Sequence, residues 1–151
     1  FYEMKINQTG DLNMFPPETK ILIADDMPAL RELLKNQLKK MGFKNFTEAN
    51  DGSEALQVLI DAYKSGNPFE LVISDWNMPN MSGIDFLKKV RSSDQLKGVP
   101  FVLLTSESER EQVTEAIMAG VSQYMIKPFS PKLIDEKLRS AYQKHFAKKI
   151  A

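Results

Sequence analysis

Five short apolar runs recur along the chain, and a segment with helical periodicity follows each of them. The runs span residues 20–24, 46–49, 71–74, 100–104 and 124–126. Their length and composition are typical of β-strands, and most are apolar throughout rather than alternating with polar residues. Continuous apolar strands that alternate with helices indicate a parallel sheet with helices on both faces.

Helices are predicted wherever apolar residues repeat at spacings of three and four. The first such segment, 28–41, carries leucines on one face; Pro28 suits its first turn and Gly42 suits the position after its last turn. Further helices are predicted over 53–63, in a short stretch after Gly83, over 108–119 and over 130–146. Strand and helix therefore alternate five times.

The order of the strands follows from the second run and from chain length. Residues 46–49 are more polar than the other runs, which is typical of an edge strand. A barrel of eight strand–helix units needs more residues than this chain provides. We therefore predict an α/β fold with a doubly wound, five-stranded parallel sheet in the order 2-1-3-4-5, which is a flavodoxin-like three-layer sandwich.

The 151 residues are expected to form a single domain. Residues 1–19 show neither strand nor helix periodicity, and the chain starts at Phe1, so we expect an N-terminal tail or tag remnant there and the domain over 20–147. The last predicted helix ends close to the end of the chain, so no further domain is expected after it.

Composition excludes several functions. The chain has no cysteine, which rules out disulfides and thiolate metal sites and fits a cytoplasmic protein. Twenty basic and twenty acidic residues give a formal net charge of zero, so no overall charge favours nucleic acid or an anionic membrane. No apolar run approaches the roughly 20 residues of a membrane span. We expect a cytoplasmic monomer whose partners recognise a local surface.

Polar side chains follow four of the five predicted strands. Asp25 and Asp26 follow the first, Asp75 the third, Thr105 the fourth and Lys127 the fifth. Taken singly, Asp26 and Thr105 suit helix caps or turns, and Lys127 suits a solvated strand end. Parallel strands place their carboxyl ends at one edge of the sheet, so the whole set favours a functional crevice there.

The residue types in this crevice point to phosphoryl chemistry. Clustered carboxylates repel one another unless a cation lies among them, and an all-oxygen ligand set suits Mg²⁺. Asp75 is the candidate nucleophile, since a carboxylate that attacks phosphorus gives an aspartyl phosphate. Lys127 is placed to offset charge on the phosphoryl oxygens, and the Thr105 hydroxyl is placed to donate a hydrogen bond to one of them.

Residues 20–145 resemble the receiver domain of two-component response regulators, most of all the stand-alone chemotaxis members. The matching pieces are the Asp25-Asp26 pair, Asp75 in DWNMPNMSG, Thr105 in LLTSES and Lys127 in YMIKPF. The resemblance implies that Asp75 accepts phosphate from a histidine kinase and that the bond before Pro128 is cis.

The resemblance also implies roles around the acceptor. Asp26, Asp75 and the Asn77 backbone carbonyl would bind Mg²⁺ directly, and Asp25 would bind it largely through water. Tyr124 matches the switch aromatic that moves inward as Thr105 moves toward the phosphoryl group; core packing is its simpler role. Asn77 and Glu107 match positions that modulate hydrolysis of the aspartyl phosphate.

The expected function is that of a phosphorylation-activated regulator that catalyses its own phosphorylation and dephosphorylation without being a conventional enzyme. Its signalling face would combine the fourth helix, the fifth strand and the last helix, and its partners would be a histidine kinase, the flagellar motor switch and a phosphatase. Alternatives are a receiver excised from a longer regulator, a phosphate sink or relay, a small phosphatase with an Asp nucleophile and a flavodoxin-like electron carrier. Asn77 argues against the phosphatase, which usually has a second acid at that position.

Overall fold

The computed structural model describes residues 13–106 and 112–147. The strands are β1 Lys20–Ala24, β2 Asn45–Ala49, β3 Leu71–Asp75, β4 Phe101–Thr105 and β5 Gln123–Ile126. The helices are α1 Pro28–Lys40, α2 Gly52–Lys64, α3 Gly83–Ser92, α4 Val113–Met118 and α5 Pro131–Tyr142, and a π-helical turn, Gln143–Ala147, continues α5. Within the described residues, no helix is both long and apolar enough to cross a membrane.

All five strands pair in parallel, in the order β2-β1-β3-β4-β5, so the predicted fold class and strand order are confirmed. The register aligns Ala24 with Ser74 and Asp75 with Leu104. The ends of β1, β3 and β4 therefore lie next to one another, each offset by one residue from its neighbour. This alignment brings the polar residues that end these strands to one edge of the sheet.

Two apolar clusters fill the space above and below the sheet, because successive strand residues point to opposite faces. Leu22, Val72, Phe101 and Leu103 face α2, α3 and α4. Their strand neighbours face α1 and α5; they are Ile21, Ile23, Leu71, Ile73, Val102 and Leu104. The central strands are buried on both faces, which explains why their sequences are continuous apolar runs.

β2 is the more polar edge strand that its sequence predicts. Only Ala49 among its residues is buried. The exposed side is covered by charge pairs, since Glu48 accepts hydrogen bonds from Arg31 at 3.0 Å and from Lys35 at 3.1 Å. Charged side chains on an edge strand discourage pairing with another sheet.

Local side chains set the ends of most helices. Asp51, Ser82 and Ser130 each accept a hydrogen bond from a backbone N–H in the first turn of α2, α3 and α5. Pro28 occupies the first turn of α1, and Gly42 follows that helix with φ of 103°, a backbone conformation that glycine adopts readily. The residue before α1 is Met27, so Asp26 is not the helix cap that it was alternatively predicted to be.

The structure differs from the sequence expectation at both ends of the domain. Met14 and Phe15, in the segment expected to be a tail, are 5% and 2% exposed and pack into the cluster under α1 and α5. Apolar burial, which periodicity cannot reveal in so short a segment, holds them there. α5 ends at Tyr142 rather than near residue 146, because the chain continues as the π-helical turn. The start predicted for α4, residues 108–111, lies outside the described residues.

Candidate functional site

Three carboxylates meet at the carboxyl ends of β1 and β3. Asp25 and Asp26 directly follow β1, and Asp75 is the last residue of β3. One oxygen from each lies within 4.8 Å of the others. Asp25 and Asp75 are buried, whereas Asp26 is exposed. The cluster predicted from strand ends is therefore assembled, with one acid open to solvent.

Lys127 brings positive charge to this cluster from the end of β5. Its Nζ lies 2.6 Å from Asp75 Oδ1 and 4.0 Å from Asp25 Oδ2. The backbone N–H of Lys127 donates to the Thr105 carbonyl at 2.8 Å, which fixes the lysine beside the end of β4. The peptide bond between Lys127 and Pro128 is cis, as the resemblance implied. The ammonium group therefore contacts the candidate acceptor directly.

Burial raises the pKa of both inner acids. For Asp25 the main cause is loss of solvent, opposed by the Met27 N–H and by Lys127. For Asp75 the main cause is again loss of solvent, opposed by the hydrogen bond and charge of Lys127. A raised pKa means that the ionised form is costly in the fold. A bound cation would remove much of that cost.

Two further residues, Met27 and Arg31, hold Asp25 in place. The Met27 N–H donates to Asp25 Oδ1 at 2.9 Å. Arg31, one turn into α1, donates from Nη1 to the Asp25 carbonyl at 2.5 Å. An arginine on the first turns of a helix is common, so the sequence carries no signal for this role. Arg31 therefore ties α1 to the end of β1.

Gly83 is a second element of the site that only the structure reveals. A Cβ built on Gly83 would lie 2.0 Å from the Asp75 carbonyl oxygen, which is much closer than two nonbonded atoms can approach. The Gly83 N–H also donates to the Trp76 carbonyl at 2.7 Å. α3 thus begins directly against the backbone that carries Asp75, and only glycine fits there.

The two candidate switch residues lie on different parts of the sheet edge. Thr105 ends β4 fully buried, and its hydroxyl donates to the Ser106 carbonyl at 2.9 Å. Tyr124 on β5 is half-buried, packs against the cluster under α2 to α4, and has the Lys137 ammonium 4.7 Å from its ring centre. Tyr124 pairs with Leu103, two residues before Thr105.

The loop after Asp75 contains the remaining predicted residues. Asn77 is exposed, two residues beyond the acid. Trp76, between these two residues, is 4% exposed and belongs to the apolar core. Glu107, the other predicted modulator of hydrolysis, lies outside the described residues.

The donor set fits a hard divalent cation. Carboxylate oxygens are the ligands that Mg²⁺ prefers, and three of them converge here without a nitrogen or sulfur ligand among them. The exposed Asp26 leaves one side of the cluster open to water or to a phosphoryl group, which Mg²⁺ binds alongside protein carboxylates.

Comparison with known families agrees with this arrangement. Residues 21–139 match the family model of the response regulator receiver domain. The chain therefore belongs to that family. The match includes every predicted site residue, from the first acid of the cluster to the lysine at the end of β5.

Individual relatives are described more narrowly than the family, as chemotaxis proteins. The chemotaxis protein CheY of Pseudomonas aeruginosa is 43% identical over 125 residues, which are 83% of this chain and 97% of the relative. CheY-3 of Vibrio cholerae serotype O1 is 45% identical over 125 residues, 83% of this chain and 92% of the relative. The solved structure of chemotaxis response regulator CheY4 of Vibrio cholerae superposes with a TM-score of 0.71 and 33% identity, covering 82% of this chain and 98% of that one.

Proposed function

We propose that the protein is a phosphorylation-activated response regulator whose acceptor is Asp75. The observation that carries this proposal is the contact of Lys127 Nζ with Asp75 Oδ1 at 2.6 Å, beside two further carboxylates. An Asp75 oxygen would attack the donor phosphorus while the bond from phosphorus to the leaving group breaks, and a histidine kinase would supply the donor. Water would later hydrolyse the aspartyl phosphate.

Side chains of this chain prepare the reaction. The Lys127 ammonium lies close to both inner acids and pairs with the free Asp75 carboxylate. After phosphoryl transfer it would pair with the phosphoryl oxygens instead. Asp26 and Asp75 with the Asn77 carbonyl would hold Mg²⁺, and Asp25 would hold it through water. When bound, Mg²⁺ neutralises phosphoryl charge and orients the donor. The protein would thus catalyse its own phosphorylation without being a conventional enzyme.

The signal would leave the site through Thr105 and Tyr124. The Thr105 hydroxyl now donates to a backbone carbonyl next to it, and this bond is weak enough to exchange for one to a phosphoryl oxygen. Movement of Thr105 would vacate space at the sheet edge that Tyr124 would fill, as a shift between two packed states. Asn77 and Glu107 would set how quickly the phosphate is lost.

The output surface would be formed by α4, β5 and α5. Ile117 and Met118 on α4 are 59% and 84% exposed, which is unusual for large apolar side chains and favours a protein partner. Because the relatives are chemotaxis proteins, we propose the flagellar motor switch as the partner and a cytoplasmic location. A receiver excised from a longer regulator, or a phosphate sink or relay, would share the acceptor and differ in the partner.

The acceptor is tested by incubating the protein with Mg²⁺ and a small phosphodonor, followed by intact mass measurement. We expect one phosphoryl group on the wild type and none on Asp75→Asn, which keeps the shape of the side chain. The exposed Asp85→Asn is the matched control and should label like the wild type. Label that persists on Asp75→Asn would overturn the assignment.

The partner is tested separately by pull-down with motor switch protein, with and without a phosphoryl mimic. Binding that requires the mimic and is lost in Met118→Lys supports the motor as target. Equal binding in both states, or none, contradicts the motor proposal while leaving the acceptor assignment intact.

A further inference from the structure

The loop that follows Asp75 is tied at its tip to the start of α2. Asn80 Nδ2 donates a hydrogen bond to Asp51 Oδ2 at 2.8 Å, although the two residues lie 29 positions apart in sequence. Beside this bond, the Gly52 N–H donates to the Met81 carbonyl at 3.1 Å, and a Cβ on Gly52 would lie 2.5 Å from that carbonyl oxygen. The two segments are therefore in direct contact. We refer to the side-chain bond between Asp51 and Asn80 as the clasp.

Asp51 uses a different carboxylate oxygen for each of two bonds. Its Oδ1 accepts from the Glu54 N–H at 2.8 Å and so caps α2. Its Oδ2 is the atom that accepts from Asn80. Both bonds favour the ionised acid and lower the pKa of Asp51, with the Glu54 N–H as the larger cause. The cap and the clasp can therefore be separated by substitution, since an Asn side chain keeps only one oxygen.

Asn80 adopts a backbone conformation that few residues tolerate. Its φ is 66°, in the left-handed region that is unfavourable for most residues with a Cβ, and Asn and Asp are the usual exceptions. The Asn80 side chain is exposed, so the clasp contributes little to the stability of the core. Its main effect is to hold the local conformation of the loop.

The clasp and the base of the loop lie on either side of the residue proposed to bind the metal through its carbonyl. At the base, the Gly83 N–H donates to the Trp76 carbonyl at 2.7 Å, and the Trp76 side chain is buried in the core. At the tip, Asn80 is held by Asp51. Asn77 lies between these two fixed points and is exposed. The orientation of its backbone therefore depends on both of them.

We propose that the clasp is a positioning contact, which holds the loop so that the Asn77 carbonyl is available to Mg²⁺ at the acidic cluster and thereby strengthens metal binding. This inference rests on the proposed function, in which that carbonyl is a ligand of the metal. Asp51 and Asn80 would touch neither the metal nor the phosphoryl group, and they act through the backbone of the loop. Loss of a contact that supports a metal ligand typically weakens metal binding by about tenfold or more.

Asp51→Asn breaks the clasp and keeps the cap, because the amide oxygen still accepts from the Glu54 N–H while the NH₂ group faces that of Asn80. We expect Mg²⁺ to bind about tenfold more weakly than in the wild type, measured by NMR titration of the loop amides at a temperature where both proteins are folded. With saturating Mg²⁺, labelling of Asp75 by a small phosphodonor should return to nearly the wild-type rate. Asp85→Asn is the matched control, since it removes the same charge from an exposed residue that lines one cleft with Asn80, and it should bind Mg²⁺ like the wild type.

The reversed pair, Asp51→Asn combined with Asn80→Asp, tests the bond itself. The amide at position 51 would then donate to the carboxylate at position 80, aspartate also tolerates a positive φ, and the net charge is that of the wild type. We expect this double variant to recover most of the wild-type affinity for Mg²⁺. Unchanged affinity in Asp51→Asn, or a double variant that binds as weakly as Asp51→Asn alone, would overturn the proposal.

Failure of the clasp and failure of the proposed function give different results. If the wild type bound Mg²⁺ and took label on Asp75 while Asp51→Asn bound Mg²⁺ equally well, only the role of the clasp would be wrong. A wild type that binds no Mg²⁺ would overturn the metal site itself, and the clasp with it.

Discussion

Asp25 shows how a site residue is held at a cost to the fold. Its carboxylate is 2% exposed, and burial raises its pKa even though the Met27 N–H and Lys127 both favour the charged form. The unfolded chain releases this proton near pH 3.9, whereas the folded chain releases it at higher pH. The stabilisation from this group is therefore fully present below about pH 3.9 and is lost as pH rises through the folded pKa.

We expect Asp25→Asn to stabilise the metal-free protein at pH 7, because the amide keeps the acceptor for the Met27 N–H without the buried charge. A gain of about 1 kcal/mol would raise Tm by roughly 2 to 4 °C in a domain of this size. The gain should shrink as pH falls toward 4, where the wild-type acid is protonated. Thermal unfolding in EDTA across this pH range measures it.

Asp26→Asn is the control for this comparison, because Asp26 belongs to the same cluster but is exposed. Asp26→Asn should raise Tm by less than Asp25→Asn does at pH 7. A gain at Asp25 that stays constant from pH 7 to 4, or that Asp26→Asn reproduces in full, would contradict the assignment to a buried charge. Added Mg²⁺ should stabilise the wild type more than it stabilises Asp25→Asn.

At the scale of elements, the contact between β3 and α3 places the acceptor. The Ser82 side chain caps α3 at its Asp85 N–H, and the helix then starts at Gly83 against the Asp75 carbonyl. The loop of residues 76–82 therefore leaves and returns at one point, where the start of α3 touches the end of β3.

We expect Gly83→Ala to destabilise the protein by about 3 kcal/mol, near the upper end of overpacking costs, because its Cβ would lie 2.0 Å from a backbone oxygen that cannot rotate away. Urea unfolding followed by circular dichroism measures the loss. Gly98→Ala is the matched control, since a Cβ there meets nothing within 4 Å. Near-equal stability of the two variants would contradict this prediction, since it would mean that the backbone between β3 and α3 shifts at little cost.

Arg91 joins elements at the opposite edge of the sheet. Its guanidinium, on α3, donates to the carbonyls of Gly120, Lys97 and Val99 at 2.7 to 2.9 Å. These carbonyls belong to the loops that lead into β4 and β5. A single side chain thus pairs with three backbone carbonyls of these loops.

At the scale of the whole molecule, the segment before β1 packs against α5 and the turn that follows it. The Phe15 ring lies edge-on to Tyr142, 5.2 Å between centres, and Tyr142 in turn lies 4.7 Å from Phe146. The packed unit therefore extends from Met14 to at least Phe146, beyond both ends of the family match at residues 21–139.

We expect Phe15→Ala to cost about 3 kcal/mol, because it empties a buried aromatic site between the segment before β1 and α5. The corresponding loss in Tm is roughly 6 to 12 °C, measured by calorimetry. Met118→Ala, at a side chain that is 84% exposed, should change Tm by far less. Equal effects would mean that the segment before β1 adds little to the fold.

The sequence predicted the sheet because each central strand is apolar on both faces and each helix carries an apolar stripe. These signals are local, so the predicted positions of strands and helices mostly agree with the observed ones within a few residues. The acidic cluster was predictable for a related reason: parallel strands bring their carboxyl ends to one edge whatever the details of packing. Asp25, Asp26, Asp75, Thr105 and Lys127 were all placed at that edge by this rule.

The tertiary structure decided what depends on partners distant in sequence. Lys127 lies closer to Asp75 than to Asp25, Arg31 reaches back to the end of β1, and Gly83 fits where any Cβ would collide. The burial of Phe15 and the Ser122–His145 bond also join segments that carry no pattern of their own. Periodicity fixes which face of an element is buried, but contacts between elements depend on their packing in three dimensions, and only the folded chain specifies it.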